Sequence, residues 1–432
     1  MIDGLRHFLS LLALIGAIAV PLLIAGLGAD ALEVPEKRLT PAEVAALAPE
    51  VAEGVESVRG LRFESDPRVE IITPAGLRDL YEKELKRTEE QEDLDADAEV
   101  LELLGLLEPD EDLLDIAADS VELIAGAYDP RTQRLLVVES QGLTDPAIVE
   151  FILAHELTHA LEDQRFGLRR LDRLRDDRQL AAEALVEGSA TYLMTQYALR
   201  FQDLSELLDA ALDPALAESS ASTAGLPEIV QAQLLFPYLR GEAFVSELVD
   251  LGGDWDLVDI AYRARLPLST EQVLHPEKYL LNERPSNPAL DLDPALRPGW
   301  RRLAGGTIGE FDTIQLLRSG AADQRARSAG SGWGGGRYEL WRRGPAEAEC
   351  EDDPCRSREV LALAWRWDTA ADAGEFAATV PAYLRGGLGA SRQANDLWSL
   401  DESVVELRRG PRTTTLLFAP VRVADGLASG SP

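Results

Sequence analysis

Two histidines four positions apart are the residues of this chain best placed to do chemistry. The segment HELTH carries His155, Glu156 and His159, in a chain of 432 residues that holds only four histidines. In a helix, residues i and i+4 project from one face about one turn apart, which lets two imidazoles bind a single zinc ion. Glu156 would lie beside that ion, where a carboxylate can take a proton from water. The segment therefore predicts a zinc site with Glu156 as its general base.

A catalytic zinc ion needs a third protein ligand and one open coordination position. The two remaining histidines are His7, close to the N-terminus, and His275. Carboxylates offer an alternative, because LAAEALVEGSATYL places Glu183 and Glu187 on one face of a second predicted helix. We favour a carboxylate over His275, and the residues alone leave the choice between the two glutamates open.

The HELTH segment lies in a predicted helix that follows a predicted strand pair. The runs VELIAGAY and RLLVVES flank the turn DPRTQ, which is a hairpin signal. Thr144, Asp145 and Pro146 then cap a helix through AIVEFILAHELTHALEDQ, whose dense apolar residues predict burial on most sides. Further helices are predicted to about residue 280. The candidate ligands should therefore project from buried helices.

The chain divides into four predicted segments. Residues 1–32 are a signal peptide or membrane anchor, 33–120 an acidic helical part, 121–293 the unit that carries HELTH, and 294–432 a smaller C-terminal α+β unit. Together these patterns predict an α+β fold. Five tryptophans of the last segment are predicted to pack in its core: Trp333, Trp341, Trp365, Trp367 and Trp398.

The N-terminal segment predicts export. Its uncharged run from Phe8 to Leu27 is about twenty residues long, roughly enough to cross a bilayer. Ala29-Asp30-Ala31 is a small-x-small cleavage site, so a cleaved signal peptide and a retained anchor both stay open. We therefore predict a secreted, periplasmic or other cell-envelope protein.

The charge balance limits the partners. The formal net charge is −34 and the pI is near 4.5, and such a field repels nucleic acid and anionic lipid surfaces. We therefore expect no nucleic-acid partner, and membrane contact only through an N-terminal anchor. In an exported chain, Cys350 and Cys355 close a short loop and predict a disulfide.

HELTHA followed by ALVEGSATYL resembles the gluzincin metallopeptidases, the thermolysin-like and aminopeptidase-N-like enzymes, in which a glutamate on a following helix completes the zinc site. The resemblance covers roughly residues 120–280 and is greater to exported bacterial neutral zinc metallopeptidases. It implies a zincin-like fold, with a mainly helical catalytic domain and a small antiparallel sheet. It also implies that His155 and His159 are zinc ligands, and that Glu187, which precedes Gly188, is the third. The gap before Glu187 is longer than in the family, because LEDQRFGLRRLDRLRDDRQ is predicted to be an inserted loop.

Four further residues are candidates to support catalysis. Metallopeptidases need a donor for the developing oxyanion. We predict that His275 or Tyr279, one turn apart in STEQVLHPEKYL, supplies it. Asp163 and Thr191 each follow a candidate ligand by one turn, and are candidates to orient these ligands.

Three longer segments have predicted supporting roles. YLRGEAFVSELVDLGG, residues 238–253, resembles the helix that gluzincins pack beneath the site. AGAYDPRTQRLLVVE is a candidate edge strand for binding substrate backbone. By position and acidity, residues 33–120 could shield the cleft as a pro-segment.

The sequence as a whole predicts an exported zinc-dependent peptidase that hydrolyses a peptide or protein substrate. Zinc-bound water would attack the peptide carbonyl, assisted by Glu156. The aminopeptidase recognition motif is absent, which favours an endopeptidase. Two other functions stay open. One is a catalytically inactive zincin-fold module for binding or assembly at the cell envelope, and the other is a zinc hydrolase acting on a non-peptide substrate.

Overall fold

The structure is a computed structural model that describes the chain between Leu39 and Val423, with several gaps. The residues it describes are 39–85, 88–121, 124–139, 145–211, 225–290, 292, 296, 298–344 and 354–423. The predicted leader, residues 1–32, lies outside these ranges. Cys355 is disulfide-bonded, and Cys350 lies outside the described residues. Within them, no helix is both long and apolar enough to cross a membrane.

Among the residues that the structure describes, four helices and one strand precede the hairpin. They are α1 (Pro41–Arg59), β1 (Arg68–Ile72), α2 (Pro74–Leu85), α3 (Thr88–Leu103) and α4 (Leu113–Ser120). Thr40-Pro41 is a cap and first-turn pair that predicts a helix start, and α1 begins there with Pro41 in its first turn. The Thr40 side chain accepts a hydrogen bond from the Glu43 backbone N–H, and the Glu43 carboxylate accepts one from the Thr40 N–H.

The small sheet contains the predicted hairpin and one additional strand. Strands β2 (Gly126–Asp129) and β3 (Arg134–Val138) pair antiparallel. Strand β1 joins the other side of β3, in the order β1-β3-β2, and runs parallel to it. The prediction that this sheet is antiparallel is therefore wrong, because the sheet contains one parallel and one antiparallel pair of strands. Helices α2 to α4 separate β1 from the hairpin and provide the long crossover that parallel pairing needs.

The rest of this unit is helical. It contains α5 (Pro146–Phe166), α6 (Asp176–Phe201), α7 (Leu204–Ala211), α8 (Glu228–Gly252), α9 (Asp256–Arg263), α10 (Thr270–Leu274) and α11 (Pro276–Leu280). Helix α5 begins after Asp145, whose side chain accepts a hydrogen bond from the Ala147 N–H. A 3-10 turn over Leu168–Arg173 joins α5 to α6. The stretch predicted as an inserted loop is therefore mostly regular structure, because both helices extend into it.

The described part of the C-terminal unit consists mainly of a seven-stranded antiparallel sheet and several helices. In chain order its elements are β4 (Trp300–Gly306), α12 (Glu310–Arg318), α13 (Asp323–Gly330), β5 (Trp333–Arg343), β6 (Glu359–Trp367), α14 (Ala370–Gly386), β7 (Ser391–Ala394), β8 (Leu397–Leu400), β9 (Ser403–Arg409) and β10 (Thr413–Pro420). The strand order is β4-β5-β6-β10-β9-β8-β7. The molecule is thus α+β, as predicted.

One hydrophobic core runs through both units. Its buried members include Leu77, Val186, Phe244 and Phe418, from the N-terminal helices, the central helices and the last strand. The boundary near residue 294 therefore separates two sequence patterns that share a core. The five tryptophans predicted to pack in the core are all buried: Trp333, Trp341, Trp365, Trp367 and Trp398.

The start of helix α6 is held by helix α10 and by the C-terminal unit. Asp177 accepts hydrogen bonds from the Thr270 backbone N–H at 3.1 Å and from its hydroxyl at 2.6 Å. Asp176 accepts one from the Thr307 N–H at 2.8 Å. Acidic residues are favourable at a helix N-terminus, where the backbone N–H groups carry partial positive charge. These contacts hold the helix that carries Glu187.

Candidate metal centre

Helices α5 and α6 bring three side chains together. The His155 and His159 Nε2 atoms lie 3.0 Å apart. The Glu187 Oε2 atom lies 3.2 Å from the first and 3.5 Å from the second. Relative exposure is 1% for His155 and 0% for His159 and Glu187. Among the described residues, these three form a group whose ligand atoms could hold one metal ion.

The spacing of these atoms fits zinc. Tetrahedral donors about 2.0–2.1 Å from a zinc ion lie roughly 3.3 Å from one another. The three measured separations, 3.0, 3.2 and 3.5 Å, bracket that edge length. Two nitrogens and one carboxylate oxygen are also the donor set of catalytic zinc sites that leave a fourth position open. Glu183, one helical turn before Glu187, is not part of the group.

Burial sets the protonation of the group. It lowers the pKa of His155, and it lowers the pKa of His159 to about 4. It also raises the pKa of Glu187 to about 7, against the opposing effect of hydrogen bonds with His155 and Tyr238. Both imidazoles are therefore neutral at pH 7, which is the form that binds a metal ion.

Tyr238 is a site residue that the sequence analysis did not assign. Its ring, on α8, stacks on the His155 ring at a centroid distance of 6.0 Å and an angle of 25°. A hydrogen bond with Tyr238 is also one of the effects that lower the pKa of Glu187. The signal was present, since Tyr238 is the first residue of the YLRGEAFV segment. Its position follows from the crossing of two helices, which the sequence did not reveal.

Helices α6 and α8 cross at a pair of glycines. A Cβ atom on Gly188 would lie 2.1 Å from the carbonyl carbon of Gly241, and one on Gly241 would lie 2.0 Å from the Ala184 oxygen. Real Cβ atoms do not approach backbone so closely, so only glycine fits at both positions. This contact brings Tyr238 to Glu187.

We expect Gly188→Ala to destabilise the protein by about 1–3 kcal/mol or more, since the added methyl group forces the helices apart. Zinc binding should weaken as well, because Glu187 is the adjacent residue. Thermal unfolding and zinc content would measure the two effects. Gly374→Ala is the matched control, because a Cβ at this helical position meets nothing within 4 Å. The control should be neutral or stabilising by about 0.5–1 kcal/mol, and a Gly188→Ala protein as stable as wild type would contradict the packing argument.

Glu156 follows the candidate ligand His155 on α5 and packs against strand β2. It is 0% exposed. A Cβ on Gly126, the first residue of β2, would lie 3.1 Å from the Glu156 Cγ and 2.8 Å from the Ile152 Cγ2. The glycine therefore leaves room for the carboxylate against an edge strand of the small sheet.

His275 and Tyr279 make their hydrogen bonds away from this group. The His275 Nε2 lies 2.9 Å from the Glu310 Oε1 of the C-terminal unit. The Tyr279 hydroxyl donates to the Arg265 carbonyl at 2.9 Å. His275 does not belong to the group formed by the candidate ligands. In this structure, His275 contacts the C-terminal unit, and Tyr279 contacts the segment between α9 and α10.

The two residues predicted to orient the ligands also differ from expectation. Asp163 accepts hydrogen bonds from the Tyr128 hydroxyl at 2.9 Å and from the Leu168 N–H at 2.8 Å, so it ties the end of α5 to β2. Thr191 is buried on α6, and its Oγ1 has no hydrogen-bond partner in the part of the chain that the structure describes. The Nδ1 atoms of His155 and His159 likewise lack a described partner. Packing, including the Tyr238 ring, therefore orients the imidazoles.

Comparison with known proteins adds two findings. Residues 299–427 match the model of a family described as a domain of unknown function, DUF8575. This match falls on the C-terminal unit, close to the predicted segment 294–432, and leaves the metal group outside it. No curated protein matches the chain.

Among solved structures, the chain is similar to a protein from Chloroflexus aurantiacus that is provisionally described as a hydrolase with a novel fold. The two are 17% identical with a TM-score of 0.39, over 65% of this chain and 98% of the other.

Proposed function

We propose that this protein is a zinc-dependent peptidase of the gluzincin type with a zincin-like helical core. The observation that carries the proposal is the convergence of His155 Nε2, His159 Nε2 and Glu187 Oε2 at separations of 3.0–3.5 Å inside a buried helix pair. Buried imidazoles that face a carboxylate at tetrahedral spacing are the donor set of a catalytic zinc site. By this proposal His155, His159 and Glu187 hold the ion.

In this proposal, the ion and the side chains around it have separate roles in hydrolysis. Bound zinc lowers the pKa of a water molecule and polarises the substrate carbonyl. Glu156, adjacent to the first ligand, takes a proton from the attacking water and returns it to the leaving amine. Tyr238 holds the Glu187 carboxylate and stacks on His155, which fixes both ligands. Burial keeps bulk water away from the three candidate ligands and Glu156.

The small sheet supports a peptide as the substrate. Strand β2 is an edge strand in the order β1-β3-β2. The Val138 N–H donates to the Ala125 oxygen, and bonding alternates along an antiparallel pair. The N–H and C=O groups of Gly126 and Tyr128 therefore point away from β3. Gly126 is also the residue beside Glu156, so a peptide added along this edge would pass the general base.

The site is closed in this structure. All four residues of β2 are buried. Tyr81 on α2 is buried too, and its pKa is raised well above its ordinary value by burial and then by the negative charge of Glu156. Helix α2 therefore lies close to the general base, and a peptide needs part of this cover to move. The same closure favours the second candidate function, a zinc hydrolase that acts on a small non-peptide substrate.

A degradation assay separates the two candidates. Zinc-loaded wild type and Glu156→Gln would be incubated with a defined peptide mixture, and the products identified by mass spectrometry. Internal cleavage by wild type alone would support the peptidase. Hydrolysis of small amides or esters without cleavage of any peptide would support the second candidate. We also propose that the N-terminal segment exports the protein, which fractionation of cells that express the full chain would test.

A further inference from the structure

A buried carboxylate on the HELTH helix has no role in the mechanism above. Glu162 lies one helical turn after His159 on α5 and is 0% exposed. Burying a charged group is costly unless it is paired and hydrogen-bonded. The contacts of Glu162 therefore indicate what the residue is for.

Glu162 connects four helices. Its Oε1 accepts hydrogen bonds from the Arg59 Nε at 2.7 Å and from the Ser189 hydroxyl at 2.6 Å. Its Oε2 accepts one from the Tyr262 hydroxyl at 2.6 Å. These partners lie on α1, α6 and α9, while Glu162 itself lies on α5.

The bond to Ser189 joins the two helices that carry the candidate ligands. Ser189 is two residues beyond Glu187 on α6, and Glu162 is three beyond His159 on α5. The bond therefore spans the two helices within one turn of the metal group. Sliding of α5 along α6 would alter the separations between the two imidazoles and the carboxylate. A charge-assisted bond of 2.6 Å opposes that movement.

We infer that Glu162 is a positioning residue for the metal site: it fixes α5 against α6 through Ser189 and ties both to the N-terminal helix α1 through Arg59. The inference rests on the proposed zinc site and goes beyond it. By this inference, α1 helps to hold the helices that carry the candidate ligands.

Arg59 also donates to Asp259 at 2.8 Å and lies over the Trp255 ring at 4.3 Å, so the end of α1 is held from two further directions. By this inference, α1 belongs to the support of the site and would not be removed as part of a pro-segment.

The test is zinc affinity, measured by competition with a chromogenic chelator on the full chain. Ser189→Ala removes the bond between the helices and keeps the rest of the side chain, and Glu162→Gln removes the charge at constant shape. We expect zinc to bind at least about tenfold more weakly in both, which is the usual effect of losing a group that orients ligands. The visible spectrum of the cobalt-substituted protein should shift, because it reports ligand geometry.

Glu359→Gln is the matched control. Glu359 is also buried and paired with an arginine, Arg342, but it lies in the sheet of the C-terminal unit. We expect this variant to lose thermal stability with unchanged zinc affinity and cobalt spectrum. If Glu162 had only a structural role, Ser189→Ala and Glu162→Gln would also lose thermal stability while zinc affinity and the cobalt spectrum stayed unchanged. That result would overturn the inference. If wild type takes up neither zinc nor cobalt, the proposed function fails and this inference fails with it.

Discussion

Replacing Glu156 by glutamine should abolish most of the hydrolytic activity and leave the metal in place. The amide has the shape of the carboxylate but cannot take a proton from water. General acid–base groups typically contribute about 10²–10⁴ in rate, so we expect kcat to fall by about that factor. Zinc content and thermal stability should stay close to wild type, because His155, His159 and Glu187 are untouched.

Glu150→Gln is the control for this variant. Glu150 lies on the same helix, is partly buried and is 3.4 Å from the Gln202 side chain, away from the metal group. Its loss should leave kcat unchanged. Steady-state kinetics on a cleaved peptide would make the comparison. If Glu156→Gln kept its activity with zinc bound, Glu156 would not be the general base.

Replacing Arg59 by leucine should be among the most destabilising single changes in the chain. The Arg59 and Glu162 side chains are both fully buried in their ion pair. Removing one partner of such a pair leaves an uncompensated charge and typically costs about 3–5 kcal/mol. We therefore expect a fall of this size in the free energy of unfolding, measured by urea denaturation.

Arg62→Leu provides the comparison. Arg62 pairs with Glu56 near the same end of α1, but its side chain is 80% exposed. Exposed ion pairs contribute about 0–1 kcal/mol, so this variant should unfold almost like wild type. Equal stability of the two variants would show that the Arg59 pair is not a principal support of the fold.

Local patterns in the sequence predicted much of this structure. The cap at Thr40 and Pro41, the hairpin around DPRTQ and the helix through HELTH depend on residues close together in the chain. The buried tryptophans of the C-terminal sheet follow from their size and their place in strand-like runs. The separation of four residues between His155 and His159 fixes their shared face in any helix.

Contacts between distant segments could not be predicted in this way. The parallel pairing of β1 with β3 joins residues more than sixty positions apart, such as Arg68 and Arg134. The role of Tyr238 depends on the glycine crossing of α6 and α8, and that of Arg59 on the packing of α1 against α5. The partner of His275, Glu310, lies in the other unit.

The direct test of the central claim is zinc stoichiometry, measured by elemental analysis on protein purified without added metal. Wild type would be compared with His155→Ala, Glu187→Ala and Glu183→Ala. We predict one zinc ion per chain in wild type and Glu183→Ala, and loss of the ion in the other two. Folded wild type that binds no zinc, even after incubation with the metal, would contradict the proposed site.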